Sequence, residues 1–357
     1  MRTGANPAKS GLPAYTPQKL GIALIVYIPL TEGYFEHSLE IFKIQLSSIR
    51  AATPVPFDLL VFDNGSCPQV VAELQSLYSQ KSSDNPNRID WLVLSRHNLG
   101  KAGAWNWIFA AMPNELICYA DSDVLFRPGW LEASLEILAA FPQAGMVSAQ
   151  PNFYDVMQGA GKAHESATAQ YSLSEYWPGR EIIDEYCLGI GASDDLAAQF
   201  YQKPLPAITR LEDKESQIAQ NVQAVIGASH MQFIIPGKVA RLAVPLPATK
   251  ALLRTETMAL DFKVDQLGYL HLSTLEPFVF HMGNTLNATL LEKVHSVIAA
   301  GDPATGQSAS RSKSQMGNES MGLKKWLVKL ARRPRFKAYF IKLYNLLFQV
   351  LNSEKNQ

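Results

Sequence analysis

Leu116-Ile117-Cys118-Tyr119-Ala120-Asp121-Ser122-Asp123-Val124 sets an apolar run directly against two carboxylates one residue apart. A short apolar run bounded by polar residues reads as a strand buried on both faces, so the carboxylates fall at its carboxyl end. Oxygen donors in that arrangement suit a hard divalent cation, Mg²⁺ or Mn²⁺, whose open positions phosphate oxygens would complete. Asp and Ser are also ordinary turn formers, and Asp-Ser-Asp alone fits a plain turn equally well.

Working outward from this run, apolar strands alternate with helical periodicity. Residues 22–29 read as a strand, 38–51 as a helix carrying Leu39, Phe42, Leu46 and Ile49 on one face, 59–62 as a strand and 68–80 as a helix with Pro68 in its first turn. Strands at 91–95, 116–120 and 145–149 then alternate with helices at 101–112 and 130–141. The pattern predicts a doubly wound, mostly parallel α/β sheet. Ligands of such sheets sit where the strands end. The residues there are Pro29-Leu30-Thr31, Asp63-Asn64-Gly65-Ser66, Arg96-His97-Asn98-Leu99-Gly100 and Asp121-Ser122-Asp123.

Beyond this core, residues 151–223 mix polar, aromatic and glycine-containing stretches without clear period and read as an insertion on the acceptor side. Apolar order returns at 225–236 and 270–281. The expected organisation is a loose N-terminus at 1–20, one domain over 21–290, a linker at 291–320 rich in Ser, Gly, Gln and Asn, and amphipathic helices over 321–357.

The chain has 357 residues, 47% of them hydrophobic, with 32 basic and 32 acidic side chains. No global field points to nucleic acid, and no such partner is expected. From residue 321 onward, however, nine basic residues face one acid, Glu354, and Leu, Trp and Phe recur between them at helical spacing. Such a tail suits an anionic membrane surface, and equally suits a helix packed on the domain or on a partner. Cys67, Cys118 and Cys187 are scattered, as in a reducing compartment. With no signal-like apolar segment, the expected location is the cytoplasm, peripheral on the membrane's cytoplasmic face where the tail engages it.

Taken in order, Val61-Phe62-Asp63-Asn64-Gly65-Ser66, then Asn98-Leu99-Gly100-Lys101-Ala102-Gly103-Ala104-Trp105-Asn106, then Asp121-Ser122-Asp123 resemble the family 2 glycosyltransferases, nearest to the rhamnosyl- and galactofuranosyltransferase-like branch. The resemblance implies a GT-A fold and inverting transfer of a sugar from a nucleotide-sugar donor (UDP-, GDP- or dTDP-linked) to a saccharide or lipid-linked acceptor, as in cell-surface polysaccharide or glycolipid synthesis. It implies donor contacts from Pro29, Thr31, Asp63, Asn98, Gly100, Lys101, Asn106, Asp121 and Ser122. Asp121 and Asp123 would hold the cation, joined by His281 of Phe280-His281-Met282-Gly283-Asn284.

Glu256-Thr257-Met258-Ala259-Leu260-Asp261-Phe262-Lys263 through Gly268-Tyr269 resembles the family's acceptor helix, whose paired acids include the catalytic base. Thr257 stands where the second acid belongs. Glu256 inherits the base role, with Asp261 as the alternative. His230, in Ala228-Ser229-His230-Met231, reads as a satisfied core histidine. No P-loop, dinucleotide fingerprint or Q-x-x-R-W motif occurs, so a single transfer per encounter is expected. A catalytically silent nucleotide-sugar-binding or membrane scaffold protein and a sugar-phosphate nucleotidyltransferase remain alternatives.

Overall fold

A computed structural model describes residues 15–80, 88–153, 171–210, 221–247 and 254–301. The chain divides into two units, 1–305 and 306–357. The expected tail helices and most of the expected linker lie outside the described residues.

The alternation read from the sequence is present: β1 (Leu20–Val26), α1 (Ser38–Ala52), β2 (Phe57–Asp63), α2 (Pro68–Ser79), β3 (Trp91–Leu94), α3 (Gly100–Ala111), β4 (Leu116–Asp121), α4 (Trp130–Ala140) and β6 (Ala144–Ser148). Between β4 and α4 lies β5 (Val124–Phe126), too short to show a period. A strand that alternates between two faces must satisfy two cores when helices cover both. In β1, Ile22, Leu24 and Val26 pack with Phe42, Leu46 and Ile49 of α1 and with Val70 and Leu74 of α2. Ala23 and Ile25 point the other way, into the layer of Trp105, Ile108 and Phe109 from α3. Phe42, Trp105 and Phe109 are fully buried, and truncating any of them to Ala would cost about 3–5 kcal/mol.

The region without period folds as β7 (Ser172–Tyr176), α5 (Arg180–Ile190), α6 (Asp194–Tyr201), β8 (Leu205–Arg210) and β9 (Val222–Ile226). It is followed by β10 (Gln232–Pro236), α7 (Gly237–Ala243), α8 (Arg254–Gln266), β11 (Leu270–Ser273), β12 (Val279–His281) and α9 (Ala288–Gly301). The apolar run at 270–281 thus holds two strands, and the stretch expected to open a linker at 291 instead lies within α9. Leu290, Val294 and Val297 of α9 bury against Ile41, Leu125 and Phe280, and that apolar spacing is what makes it a helix.

The main sheet runs β3-β2-β1-β4-β10-β6-β11-β9-β8-β7. Its first four strands are mutually parallel. β10 then enters antiparallel between β4 and β6, and the β9-β8-β7 end is antiparallel throughout. The chain order reverses at β1, whose neighbours are β2 and β4, and there a doubly wound sheet opens its ligand crevice. Ile25 of β1 lies opposite Asp121 of β4, so the first carboxylate of Asp-Ser-Asp stands at that point. β5 and β12 leave the main sheet and form a separate two-stranded ribbon.

Candidate functional site

The Asp-Ser-Asp turn is held between the two sheets. On the main-sheet side the Asp121 amide donates to the Met231 carbonyl (2.8 Å), and the buried Gln45 amide donates to the Asp121 carbonyl (2.6 Å). On the ribbon side the Met282 amide donates to the Asp123 carbonyl (2.7 Å), and His281 lies opposite Val124. This pairing explains how a histidine 158 positions later in sequence reaches the turn. Its Nε2 is 3.3 Å from Asp123 Oδ2.

The His281 ring is oriented from behind. Nδ1 lies 2.9 Å from the carbonyl oxygen of Gly189 in α5. A carbonyl can only accept, so Nδ1 carries the proton and, in the neutral ring, Nε2 presents its lone pair to Asp123. A lone pair facing a carboxylate is unfavourable unless a proton or a cation lies between them. A backbone carbonyl behind Nδ1 is also the usual support of a metal-ligating imidazole. Asp123 and His281 therefore fit a divalent cation.

Asp121 is placed differently. Both its oxygens lie within 2.8 Å of Lys101 Nζ, and the Tyr119 hydroxyl donates to it. Lys101 also donates to the His230 carbonyl (2.9 Å). Among the described residues, no three His, Cys, Asp or Glu side chains converge as a metal cluster. The structure thus brings Asp123 and His281 together and engages Asp121 with a lysine. Burial pushes the Asp123 carboxyl above its ordinary value, the His281 imidazole opposes that rise, and Asp121 adds to it. Burial likewise raises Tyr119 well above the usual phenol range, so it donates as the neutral hydroxyl.

Of the expected donor contacts, several hold the loops together. Asp63 is fully buried at the end of β2 and accepts from the Ser66 amide (3.2 Å). Burial raises its carboxyl, and the Ser66 hydrogen bonds oppose this. Gly65 has φ +90, and a Cβ there would lie 3.0 Å from the Asn98 amide nitrogen, so only glycine lets the two loops meet. Asn98 Oδ1 accepts from the Gly100 amide (2.8 Å), and Asn64 Oδ1 from the Leu99 amide (2.9 Å), which start α3. Asn106 is engaged at both ends of its amide by the Leu246 backbone (2.9 and 2.6 Å) and clamps the loop after α7. Pro29, Thr31 and Ser122 line the strand ends with accessible surface, as does Arg96.

On the acceptor side Glu256 lies on α8, but its side chain is outside the description. Asp261 is not turned to solvent. Its Oδ1 sits 2.9 Å from His230 Nε2. His230, expected as a satisfied core histidine, has 25% of its side chain exposed and stands at the start of β10, beside Asp121 in the sheet. A sequence offers no sign of this pair, because it joins a strand end to a helix 31 positions later.

A second unforeseen feature is the seat of α5. Glu185 receives both guanidinium nitrogens of Arg127 (2.6 and 2.8 Å) and the ammonium of Lys293, tying α5 to the ribbon and to α9. Burial acts to raise Glu185, yet its hydrogen bonds and attraction to Arg127 and Lys293 prevail and hold it below the usual carboxylate range. The three cysteines are unpaired, and burial pushes Cys118 up to about 12, leaving it an inert thiol. Among the described residues no helix is long and apolar enough to cross a membrane.

Residues 40–193 match the model of Glycosyl transferase family 2. The matched segment runs from α1 to just beyond α5. It takes in Asp63, Lys101, Asp121, Asp123 and Gly189, and leaves His230, Asp261 and His281 to the C-terminal side. An uncharacterized glycosyltransferase of Nostoc sp. is 23% identical over 125 residues, 35% of this chain and 36% of that relative, so the chain spans about a third of that relative's length. Among solved structures, the mannosyltransferase PcManGT of Pyrobaculum calidifontis, in complex with GDP-Man and Mn²⁺, aligns at TM-score 0.45 and 11% identity over 80% of this chain and 63% of that one. TarS of S. aureus, residues 1–349, aligns at TM-score 0.41 and 12% identity over 80% and 65%.

Proposed function

We propose that the protein is an inverting, metal-dependent glycosyltransferase that moves a sugar from a nucleoside diphosphate to an acceptor hydroxyl. The observation that carries this reading is the Asp123–His281 pair beside Asp121, at the crevice of an α/β sheet whose residues 40–193 match Glycosyl transferase family 2. Asp123 and His281 would hold Mg²⁺ or Mn²⁺, with Asp121 as a further ligand once Lys101 turns to the diphosphate. The cation, when bound, neutralises charge on the departing nucleoside diphosphate.

The chain's own residues then have distinct tasks. Lys101, at the N-terminal turn of α3, carries a positive charge that a diphosphate would share with Asp121. Gln45 and Met231 fix the backbone of the turn, so the carboxylates need no reordering when a donor arrives. Asp63 fixes the β2 loop that would face the nucleoside, with Pro29 and Thr31 from the β1 loop beside it. Glu256 or Asp261 would serve the acceptor. UDP-, GDP- and dTDP-sugars are the donor candidates, and a saccharide or lipid-linked hydroxyl the acceptor. The 98–106 segment keeps the rhamnosyl- and galactofuranosyltransferase-like branch as the nearest comparison. A cytoplasmic protein that touches an anionic membrane through residues 321–357 completes the reading.

Calorimetric titration with UDP, GDP and dTDP, each with Mn²⁺ and with EDTA, tests it. One nucleotide should bind in Mn²⁺ and lose that binding in EDTA. No binding of any nucleotide under either condition would remove the reading.

A further inference from the structure

The acceptor helix poses a chemical problem. An inverting transfer needs a group to take the acceptor's proton, and the position where the resemblance expects the second acid is Thr257. Asp261 lies four residues further along α8, one helical turn deeper. A carboxylate set back by a turn cannot occupy the same place, and in this protein an imidazole stands in front of it: His230 Nε2 is 2.9 Å from Asp261 Oδ1.

His230 is fixed by its backbone as well as its ring. Its carbonyl accepts from Lys101 Nζ, the same ammonium that holds Asp121, and the carbonyl of the next residue accepts from the Asp121 amide. Its ring centroid is 6.1 Å from that of Trp105, which itself packs edge-on against Tyr119, the tyrosine whose hydroxyl donates to Asp121. The ring therefore touches the partly exposed carboxylate of Asp261, while the His230 backbone is tied to the residues proposed to hold the donor. Among the described residues no hydrogen bond engages its Nδ1, and the ring is partly exposed.

A carboxylate beside one ring nitrogen takes the proton of that nitrogen and leaves the lone pair on the other. With Asp261 at Nε2, the lone pair lies on Nδ1, the nitrogen without a hydrogen-bond partner among the described residues. We infer that His230, oriented by Asp261, removes the proton of the acceptor hydroxyl, in the role that Glu256 or Asp261 was expected to fill. In that step Nδ1 takes the O–H proton while the acceptor oxygen bonds to the anomeric carbon. The bond from that carbon to the phosphate oxygen breaks, and its electron pair leaves with the nucleoside diphosphate. Asp261 stabilises the imidazolium until the proton passes to water. Asp261 is here a positioning residue and His230 the catalytic one.

This inference rests on the glycosyltransferase reading, and its test separates the two. Nucleotide binding is measured by calorimetry with Mn²⁺. Hydrolysis of UDP-, GDP- and dTDP-sugars, with water as acceptor, is followed as release of nucleoside diphosphate. His230→Gln should bind nucleotide within twofold of wild type and lose at least 100-fold in release. Independently of turnover, long-range ¹H–¹⁵N spectra should show His230 protonated on Nε2 at pH 8, and Asp261→Asn should disturb that tautomer. A wild-type rate in His230→Gln, or a proton on Nδ1 in the wild type, would overturn the assignment while leaving sugar transfer standing. Failure of the wild type to bind any nucleotide would overturn both.

Discussion

Replacing Gly189 with alanine tests whether α5 controls the candidate metal site. Gly189 touches His281 in two ways. Its carbonyl takes the Nδ1 proton at 2.9 Å, and its missing side chain lets the two backbones approach. A Cβ built on Gly189 would lie 2.8 Å from the His281 carbonyl oxygen and 3.2 Å from His281 Cβ. Ordinary contact would require α5 or β12 to withdraw by roughly half an ångström or more. Neither can do so freely, because Glu185 on the same helix is bound to Arg127 and Lys293.

The energies decide which observable moves. Glycine to alanine within a helix stabilises by about 1 kcal/mol. Overpacking costs about 1–3 kcal/mol. Global stability should therefore fall by no more than about 2 kcal/mol. Disturbing the group behind a metal-bound imidazole, by contrast, costs about 10–100-fold in metal affinity. Titration of Mn²⁺ by electron paramagnetic resonance, with saturating nucleoside diphosphate, should show that loss in Gly189→Ala beside a melting temperature lowered by no more than about 8 °C. His281→Ala in the same assay sets the floor. Wild-type Mn²⁺ affinity in a folded Gly189→Ala protein would refute the idea that α5 sets the orientation of His281.

Asp123→Ala should abolish metal-dependent nucleotide binding by calorimetry while leaving the melting temperature within a few degrees, since its side chain is partly exposed and, among the described residues, pairs only with His281 in the hydrogen-bond and ion-pair pattern. Glu185→Gln should lower unfolding free energy by about 2 kcal/mol in urea, because Arg127 and Lys293 lose a charged acceptor. Burial lowers the pKa of His271, with Asp261 opposing and His230 adding to the shift. The native state thus stays neutral where the unfolded chain, with its pKa near about 6.5, takes a proton. Stability from this group is complete above that pH and declines on acidification, by at most about 1.4 kcal/mol per pH unit, until the native pKa is reached. Melting temperatures at pH 8 and pH 5.5 should therefore fall less in His271→Gln than in wild type, and equal slopes would show that His271 contributes nothing.

Where one periodicity dominated, the sequence was readable. Each element from β1 through β6, apart from the three-residue β5, was legible because a strand buried on both faces is apolar throughout and its neighbouring helices repeat every three to four residues. The candidate site was legible only in its strand-end half. Asp63, Asp121 and Asp123 lie where strands stop, which local pattern reveals. Asn106 is fixed by the Leu246 backbone 140 positions away, and Asn98 by the Gly100 amide and the Asn64 side chain of another loop, and no spacing rule could have shown that these amides would be consumed in building loops.

The segment over 151–223 was opaque for a different reason. Its strands β7, β8 and β9 pair antiparallel with one another and its two amphipathic helices are short, so the strand–helix alternation that made the rest readable is absent. Yet α5 within it supplies the carbonyl behind His281 and the carboxylate that binds Arg127 and Lys293. Read from the strand ends alone, this stretch belonged to the acceptor. Its contacts tie it also to the candidate metal residues: α5 and β12 share the Gly189–His281 hydrogen bond, and β12 is paired with β5, which begins one residue after Asp123. Any movement of α5 would displace His281 against Asp123. Under the proposed function, an acceptor lodged against the exposed face of α5 would act on the His281–Asp123 geometry through one hydrogen bond, a physical route by which acceptor and donor binding would be coupled.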